Sequence, residues 1–487
     1  MKGNLITKEL FLTALQCPTM AWHDFRLSSP KSLSIYDKFI IEEGLDIHKK
    51  AQLLFHDGIL ITGDNISAAK KTVQLLSNPE VSTLFEATLI IRGGITRADI
   101  LKKTTTGLHL YEIKSGLEPK EEYIDDLSYT TMICTQAGLS ISTCSLLLLN
   151  RDYRHGMPIK SLFQEHDCSE AVFKQAHDFW SCYDLIEKKV FSEKKFPPEY
   201  KFVCKNCEYI DTCFRNNPQY HIFDLPRLSH TRFCRLRELG INSIEDIPAD
   251  FGLTFNQEKV RKAVQAGTPY IDKKGLKKEL GQLVYPLYFL DFETVTTAIP
   301  LYEGIGPHTQ VVTQYSLHVC SEAWEMVHHE YLSDHKKDCR RQLSEKLIAH
   351  CGSEGSIFCY TMFEKTVING LISLFPDIKK ELQGLVDRLV DLCEIVRSYY
   401  YHPDFHGSYS IKDVLPVMVP TLNYENMEIS NGSDAVAQFA YLARGKYSSV
   451  EEKVVRKNLL EYCKLDTLAM VKVYERLEGI VGEIGSH

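Results

Sequence analysis

The amino-acid sequence predicts an α/β protein with two domains joined by a small helical connector. Three observations support this prediction. The chain has 487 residues, which is more than one domain of ordinary size. Strand-like apolar runs alternate with helical patterns in residues 1–217 and again in residues 284–487. The intervening residues 218–283 contain short helical patterns, so each flanking stretch is expected to form its own layered domain.

The composition is typical of a globular protein and restricts its function. Hydrophobic residues make up 44% of the chain and charged residues 25%, and no apolar run approaches the ~18 residues of a membrane helix. The net charge of −8 argues against a bulk basic nucleic-acid coat protein, although a carboxylate-rich nuclease site adds negative charge of its own. With 15 cysteines and no recognisable export signal, we expect a cytoplasmic protein with reduced thiols, in which a tight cysteine cluster binds metal.

The first candidate site lies on a predicted β-hairpin. One strand is predicted over residues 95–101, with Asp99 near its end, and the next strand contains Glu112 and Lys114. Alternate residues of a strand point to one face, so Glu112 and Lys114 project together, and the hairpin brings Asp99 beside them. Two carboxylates can hold Mg²⁺ or Mn²⁺, and a lysine can orient water or neutralise phosphate charge. The alternative is a surface hairpin with a solvated Glu–Lys pair.

The two strands contain the segments RADIL and YEIKSG. They resemble the D and E-x-K motifs of the RecB-like branch of the PD-(D/E)xK nuclease superfamily. The resemblance implies a restriction-endonuclease-like fold in which Asp99, Glu112 and Lys114 are catalytic and both acids bind the metal. It also implies that His48, which follows Gly44 at the G-x-x-x-H spacing of the branch, is a metal ligand.

Two further features belong to the same resemblance. Glu86, in the segment FEATLII, is a weaker candidate for the metal site. The branch often has a Gln and a Tyr on the helix after the E-x-K strand, where this chain has Tyr129 but Thr130 in place of Gln. This departure makes the C-terminal site described below the stronger catalytic candidate.

Three closely spaced cysteines predict a metal centre. Cys204, Cys207 and Cys213 form a C-x2-C-x5-C motif, and Cys17 is the candidate fourth ligand. One cysteine before the nuclease motifs and three after them resembles the iron–sulfur nucleases of the RecB-like group, including CRISPR-associated ones. The resemblance implies a [4Fe–4S] cluster. A zinc site and a set of ordinary buried thiols are the alternatives.

The second candidate site is spread over the C-terminal stretch. Asp291 and Glu293 are two residues apart on the apolar strand LYFLDFETV, so both face one side, where their charges repel unless a cation lies between them. Tyr462 and Asp466 are four residues apart on an amphipathic helix and share a face. Glu364 lies between these segments, after a predicted strand and at the start of a helix.

The D-x-E, middle acid and Y-x-x-x-D motifs resemble the DnaQ-like exonucleases of the ribonuclease H fold, in the variety termed DEDDy. The resemblance implies two Mg²⁺ or Mn²⁺ ions about 3.5–4 Å apart, held by carboxylates for in-line attack on a phosphodiester. Asp291 would bridge the two ions, and Glu293 and Asp466 would complete one site. Glu364 would act through water, and Tyr462 would orient the attacking water.

Three features qualify this second resemblance. The middle acid of proofreading relatives is usually an Asp preceded by Asn, where this chain has Glu364 and Tyr360. Asp391 is a competing middle carboxylate. The segment YYYHPDFHGSYSIKDVLP resembles a stretch of uncharacterised bacterial proteins that fuse the same two modules, and its Ser410 is predicted to cap a helix that begins at Ile411.

Residues 218–283 contain the segment RLRELGINSIEDIPADF. It resembles half of a helix-hairpin-helix, whose turn offers backbone N–H groups to phosphates without reading the base sequence. A small helical spacer is the alternative. The basic run Lys273–Lys278 can add affinity for a nucleic-acid backbone, although a solvated linker is the simpler interpretation of this run alone.

The order of these motifs along the chain predicts a two-module, metal-dependent nuclease. We expect a 3′→5′ exonuclease that acts on single-stranded DNA, with a second, RecB-like nuclease site. One alternative is an RNA exonuclease in which only the C-terminal site is active and the N-terminal half clamps nucleic acid. Another is a non-catalytic nucleic-acid-binding scaffold with structural zinc.

Overall fold

The computed structural model describes residues 5–26, 32–214, 217–424 and 427–482. These residues form the mixed α/β architecture that the sequence predicts, with 13 strands and 17 α-helices in the described part. The chain divides into two compact units. Unit 1 comprises Met1–Arg215 and Thr297–Thr309, and unit 2 comprises Asn216–Thr296 and Gln310–His487. No described helix is long and apolar enough to cross a membrane.

Unit 1 is built on a six-stranded mixed sheet whose strands follow each other in chain order. The strands are β1 (Gly58–Leu60), β2 (Thr83–Ile91), β3 (Gly94–Thr104), β4 (Gly107–Ile113), β5 (Ile141–Leu149) and β6 (Phe163–Asp167). The pairs β1–β2 and β4–β5 are parallel, and the other neighbours are antiparallel. The predicted hairpin is therefore present as β3 and β4, with Ile100 opposite Tyr111.

Seven helices surround this sheet in the described part of unit 1. They are α1 (Lys8–Gln16), α2 (Pro18–Arg26), α3 (Ile35–Gln52), α4 (Asn65–Leu76), α5 (Glu121–Gln136), α6 (Ser169–Val190) and α7 (Ile210–Cys213). Helices α1, α5 and α6 meet in one cluster around Phe11, Tyr129 and Tyr183. Both faces of the sheet are buried, because successive residues of β5 such as Leu146 and Leu147 point to opposite faces and enter two different core clusters.

Unit 2 is built on a five-stranded sheet in the order β10-β9-β8-β11-β12, with a separate two-stranded ladder of β7 and β13. The strands are β7 (Tyr270–Ile271), β8 (Leu287–Val295), β9 (Val311–Cys320), β10 (Met326–Leu332), β11 (Ile357–Cys359), β12 (Leu389–Asp391) and β13 (Tyr400–Tyr401). Strand β8 is central: it pairs antiparallel with β9 and parallel with β11. The strand that contains Asp291 and Glu293 thus has neighbours on both sides.

The remaining ten described helices belong to unit 2. They are α8 (His230–Glu238), α9 (Phe255–Ala266), α10 (Lys273–Leu280), α11 (Arg340–Cys351), α12 (Phe363–Leu374), α13 (Lys379–Val386), α14 (Leu392–Tyr399), α15 (Ile411–Met418), α16 (Gly432–Ala443) and α17 (Ser449–Gly482). The long helix α17 packs on β8 and β9. Helix α15 begins where the sequence predicts, because the Ser410 side chain accepts a hydrogen bond from the Lys412 backbone N–H.

Residues 218–283 do not form a separate domain in the structure but lie within unit 2. Strand β7 of this segment pairs with β13, and α10 packs on α14 and α17. Gly407 approaches the same segment so closely that a Cβ would lie 1.7 Å from the Asp224 carbonyl oxygen. The basic run expected to be a linker forms most of α10, because Asp272 caps the helix and Leu276 is fully buried.

Residues Thr297–Thr309 connect β8 to β9 but belong to unit 1. The Glu43 carboxylate accepts hydrogen bonds from the Ala298 backbone N–H, at 3.1 Å to each oxygen. His308 Nε2 lies 2.6 Å from the Ser115 carbonyl oxygen. Ala298 is also buried in the same core cluster as Ile47. Hydrogen bonds and apolar burial together explain why this segment is part of unit 1.

Candidate metal centres

Three side chains of unit 1 converge from separate elements. His48 lies on α3, Glu86 on β2 and Asp99 on β3, and one ligand atom from each lies within 4.8 Å of the other two. His48 Nδ1 is 3.5 Å from Glu86 Oε1, and His48 Nε2 is 3.9 Å from Asp99 Oδ2. A capping box between Ser34 and Asp37 fixes the first turn of α3. One imidazole and two carboxylates suit Mn²⁺ or Mg²⁺.

The backbone of Glu86 is unusual for a strand residue. Its φ is 56°, in the left-handed region that residues with a side chain rarely adopt. The pairing of β2 with β3 is interrupted at this residue. Such a conformation costs free energy that the surrounding structure must offset, and residues of this kind concentrate at functional sites. The geometry therefore makes Glu86 as strong a candidate ligand as His48 and Asp99.

Glu112 and Lys114 lie beside this triad, together with two residues that sequence reasoning missed. Glu112 Oε1 accepts a hydrogen bond from Lys8 Nζ at 2.6 Å and lies 3.1 Å from Lys114 Nζ. Asp126, on α5, contacts Lys114 and lies 3.6 Å from Lys8 Nζ. Glu112 Oε2 is buried and has no hydrogen-bond partner within the described chain. An orphaned buried carboxylate oxygen is costly, and a bound cation would remove that cost.

The pKa values of the two acids Asp99 and Glu112 are shifted in opposite directions. Burial raises the pKa of Asp99 to about 7, and the charge of Glu112 adds to the effect. Burial also opposes the ionisation of Glu112, but Lys8 and Lys114 hold its pKa below the usual value. Glu112 is thus an anion paired with two ammonium groups, whereas Asp99 exchanges a proton near neutral pH. A divalent cation next to Asp99 would displace that proton.

The helix after the E-x-K strand does not add the expected polar pair to the site. The Tyr129 hydroxyl donates to the Ile6 carbonyl oxygen at 2.6 Å, so it ties α5 to the N-terminal segment. The Thr130 hydroxyl accepts a hydrogen bond from Thr96 at 3.1 Å and is fully buried. Both side chains lie in the interior of unit 1. Asp126 is instead the residue of α5 that contacts the candidate site.

The four predicted cysteines come together in unit 1. Cys17 ends α1, Cys204 and Cys207 lie on or next to a 3₁₀ turn, and Cys213 ends α7, and all four line one pocket. Burial raises the pKa of Cys204, Cys207 and Cys213, and the charges of neighbouring cysteines raise it further. Thiols gathered in this way repel one another as thiolates unless a metal centre binds them.

One further sulfur atom lies in the lining of this pocket. Met20 lines the pocket together with the cysteines, and its Sδ is 3.8 Å from Cys207 Sγ. Four thiols in one pocket are a donor set that suits either a zinc ion or an iron–sulfur cluster.

Three carboxylates converge in unit 2. One oxygen from each of Asp291, Glu293 and Asp466 lies within 4.8 Å of the other two. Strand β8 supplies the first two, and a register shift follows Glu293. Helix α17 supplies Asp466 and Cys463, whose Sγ lies 3.4 Å from Asp291 Oδ2. The predicted D-x-E and Y-x-x-x-D motifs therefore meet, because α17 packs directly on β8.

These acids are held in an environment that opposes their charge. Burial raises the pKa of Asp291 and Glu293 well above the usual values, and the neighbouring carboxylates raise it further. Burial raises the pKa of Asp466 to about 6, although a hydrogen bond from Tyr424 opposes the shift. Partly buried like charges that lie this close together are unfavourable without cations, so the donor set fits divalent metal ions.

Glu364 lies close enough to these acids for its charge to act on Asp291 and Glu293. It is the second residue of α12, and the turn before the helix contains Thr361 with a φ of 77°, an unfavourable value for a β-branched residue. Burial raises the pKa of Glu364 to about 8. Its Oε2 is buried without a hydrogen-bond partner in the described structure. Asp391, the competing candidate, instead caps α14 by accepting a hydrogen bond from the Glu394 N–H at 2.9 Å, and this favours Glu364.

Two tyrosines and one lysine lie next to the acids of unit 2. The Tyr424 hydroxyl donates to Asp466 Oδ1 at 2.7 Å, and Lys412 Nζ lies 5.4 Å from the ring centroids of both Tyr424 and Tyr462. The Tyr360 hydroxyl donates to a backbone carbonyl at 2.8 Å instead of facing the acids as the expected Asn would. Sequence reasoning missed Lys412 and Tyr424, although Lys412 directly follows the predicted helix start.

Comparison with known proteins identifies relatives without a stated function. Residues 288–410 match a family described as a domain of unknown function, DUF2779, and this stretch includes Asp291, Glu293 and Glu364. An uncharacterized protein of Mycoplasma genitalium, MG366, is 23% identical over 356 residues, which cover 66% of this chain and 50% of that protein. Its homologue from Mycoplasma pneumoniae is 24% identical over 230 residues, 42% of this chain and 34% of that protein. The chain thus spans about half the length of the first relative and about a third of the length of the second.

Proposed function

We propose that the protein is a two-module, metal-dependent nuclease, with an exonuclease site of the DnaQ-like, ribonuclease H-fold type in unit 2 and a RecB-like PD-(D/E)xK site in unit 1. The observation that supports this most strongly is the cluster of three partly buried carboxylates, Asp291, Glu293 and Asp466. Three acids that repel one another and are largely withdrawn from water are costly unless a cation binds them. The charge of Glu364 also acts on Asp291 and Glu293, and this residue has a buried oxygen without a hydrogen-bond partner in the described structure.

The proposed reaction, hydrolysis of a phosphodiester, follows from the chemistry of the divalent ions that these acids would hold. Mg²⁺ or Mn²⁺, when bound, supplies Lewis acidity at a phosphoryl oxygen and lowers the pKa of water. Asp291, Glu293 and Asp466 provide the negative charge that holds the cations. In this proposal Tyr462, on the same face of α17 as Asp466, would orient a water molecule, and Lys412, which lies 5.4 Å from the Tyr462 ring centroid, would attract a phosphate. We favour single-stranded DNA and 3′→5′ polarity on the resemblance alone.

The site of unit 1 fits a second phosphodiester-cleaving centre. His48, Glu86 and Asp99 supply metal-ligand atoms. Glu112 is ion-paired with Lys114, so the lysine is fixed next to the acids and can neutralise charge that develops on a phosphate. We therefore extend the proposal to hydrolysis at this site, on DNA.

We further propose that Cys17, Cys204, Cys207 and Cys213 bind a [4Fe–4S] cluster. The donor set is four thiols that line one pocket, and we favour the cluster over a zinc ion on the resemblance to the RecB-like iron–sulfur nucleases. The cluster would tie helix α1 to the last helix of unit 1 and so stabilise this unit. Reduced thiols of this kind are typical of a cytoplasmic protein.

Nuclease assays with two separate variants test the proposal. Full-length protein, purified without oxygen, is incubated with end-labelled single- and double-stranded DNA and RNA in Mn²⁺ or EDTA. We expect Asp291→Asn to abolish stepwise shortening of single strands and Lys114→Met to leave that shortening intact. Glu330→Gln, on β10, is the control for a carboxylate outside the cluster.

Three outcomes would change the proposal. Shortening of RNA but not DNA would support an RNA exonuclease in which unit 1 only clamps the strand. Unchanged digestion by Asp291→Asn would remove the assignment of the unit 2 site. No Mn²⁺-dependent cleavage of any substrate by the wild-type protein would leave a nucleic-acid-binding scaffold as the better description.

A further inference from the structure

Lys8 is held rigidly next to the acids of unit 1. It begins α1, whose cap Thr7 accepts a hydrogen bond from the Leu10 N–H. Two residues earlier, Ile6 exchanges backbone hydrogen bonds with the β2–β3 turn region, at 2.7 Å to the Gly93 carbonyl oxygen and 3.0 Å from the Ile95 N–H. The Lys8 side chain is only 20% exposed. The ammonium group is therefore positioned by the fold and is not a mobile surface charge.

The charged groups of unit 1 fall into two sets with different net charge. The first set is the triad of His48, Glu86 and Asp99, which has two carboxylates and no ammonium group. With His48 neutral and both acids ionised, its charge of about −2 matches one divalent ion.

The second set contains two carboxylates and two ammonium groups. Lys8 bonds to Glu112 and lies near Asp126, and Lys114 contacts the same two acids. Burial opposes the charge of Lys8, but Glu112 and then Asp126 raise its pKa above the usual value, so it remains an ammonium ion. The net charge of this set is zero, so a second divalent ion would gain less electrostatic free energy here than beside acids without ammonium partners.

We propose that the Lys8 ammonium group takes the place of a second divalent ion in unit 1. This unit then binds one divalent ion, whereas two are expected in unit 2. The inference rests on the nuclease function proposed above. An ammonium group has three N–H donors; Glu112 takes one, so Lys8 has donors left for a phosphate oxygen. During hydrolysis a water oxygen bonds to phosphorus, the ester P–O bond breaks and the leaving oxygen takes a proton. Lys8 keeps its own protons and neutralises charge on the phosphate.

Counting bound Mn²⁺ ions tests this inference without relying on activity. The background is full-length protein with Asp291→Asn and Asp466→Asn, which removes the unit 2 site. We expect about one bound Mn²⁺ per chain by equilibrium dialysis and electron paramagnetic resonance. Adding Lys8→Met leaves Glu112 and Asp126 under-neutralised, so a second, weaker ion should bind. Lys8→Arg should keep one ion, and Lys71→Met, at an exposed site on α4, is the control.

A charge-compensated variant keeps the test valid if Lys8→Met misfolds. Lys8→Met combined with Asp126→Asn leaves one carboxylate and one ammonium group, so the count should return to one ion. Two ions with Lys8 present, or one ion in a folded Lys8→Met protein, would overturn the inference.

Cleavage in the same background separates this inference from the proposed function. We expect Lys8→Met to slow the unit 1 reaction by about 10²-fold, the usual cost of one preorganised charge. If the background protein cleaves and Lys8→Met changes neither the rate nor the ion count, the role of Lys8 is wrong and the nuclease function stands. If nothing is cleaved but the ion count rises from one to two on Lys8→Met, the role of Lys8 is supported and the proposed hydrolysis at unit 1 fails, whereas the unit 2 site is tested separately by the protein without Asp291→Asn and Asp466→Asn.

Discussion

Asp291→Asn should make unit 2 more stable without metal and less responsive to metal than the wild type. Two like unit charges within 4.8 Å of each other repel by at least about 3.5 kcal/mol at an effective dielectric constant of about 20. The raised pKa values of the acids favour their protonated forms, which reduces the repulsion that they feel. Asn has the same shape as Asp but no charge, so we expect a gain of about 1–2 kcal/mol in EDTA.

Bound metal should reverse the order of stability of the wild type and the Asp291→Asn variant. A ligand at one hundred times its Kd stabilises the folded state by about 2.7 kcal/mol, and the wild type should gain at least this amount in Mn²⁺. The variant lacks a ligand shared by the cluster and should gain less than about 1 kcal/mol. Because 1 kcal/mol shifts the Tm of a unit of this size by about 2–4 °C, both differences are measurable.

Tryptophan fluorescence can report on unit 2 selectively. The chain has three tryptophans, and Trp324 lies in unit 2, with its ring centroid 5.8 Å from that of Tyr474. With Trp22→Phe and Trp180→Phe in both proteins, thermal unfolding followed by fluorescence reports on the surroundings of Trp324. A variant that is less stable than wild type in EDTA, yet gains the same Tm in Mn²⁺, would refute the metal-site reasoning.

Three other predictions concern single residues. The pKa of Asp99 is about 7 in the folded state and lower in the unfolded state. Its contribution to the free energy of unfolding in EDTA is therefore complete below about pH 4 and is lost as the pH rises to 7. Unfolding curves at several pH values should show this decrease, and Asp99→Asn should make it smaller. Cys207→Ser should lose bound iron and visible absorption and lower the Tm of unit 1; an unchanged iron content would contradict the cluster. Tyr462→Phe should slow exonuclease cleavage about 10–100-fold with unchanged Mn²⁺ affinity; a changed affinity would instead indicate a role in holding metal.

Local sequence patterns predicted much of the fold and part of each site. The period-two pattern predicted that Glu112, on β4, and Lys114, directly after it, are neighbours, and it placed Asp291 and Glu293 together on β8. The four-residue spacing placed Tyr462 and Asp466 on one helix. These predictions succeeded because the spacing within a single strand or helix fixes which side chains are neighbours.

The missed features depend on contacts that local patterns do not contain. Lys8 reaches Glu112 across 104 positions of sequence, and nothing in its own helix marks it as part of a site. Glu86 joins the triad through a left-handed backbone that no periodicity predicts. The assignment of Thr297–Thr309 to unit 1 arises from hydrogen bonds to Glu43, a residue in a different part of the chain.

The position of Thr297–Thr309 has a consequence for synthesis on the ribosome. Glu43 and the apolar residues around Ala298 cannot find these partners until residue 309 has left the ribosome, about 90 residues after the rest of unit 1 is complete. At translation rates of about 5–20 residues per second, unit 1 would wait roughly 5–20 s for its last segment. A fragment that ends near residue 215 would keep that incomplete state permanently, so an excised N-terminal half is a poor substitute for the intact chain.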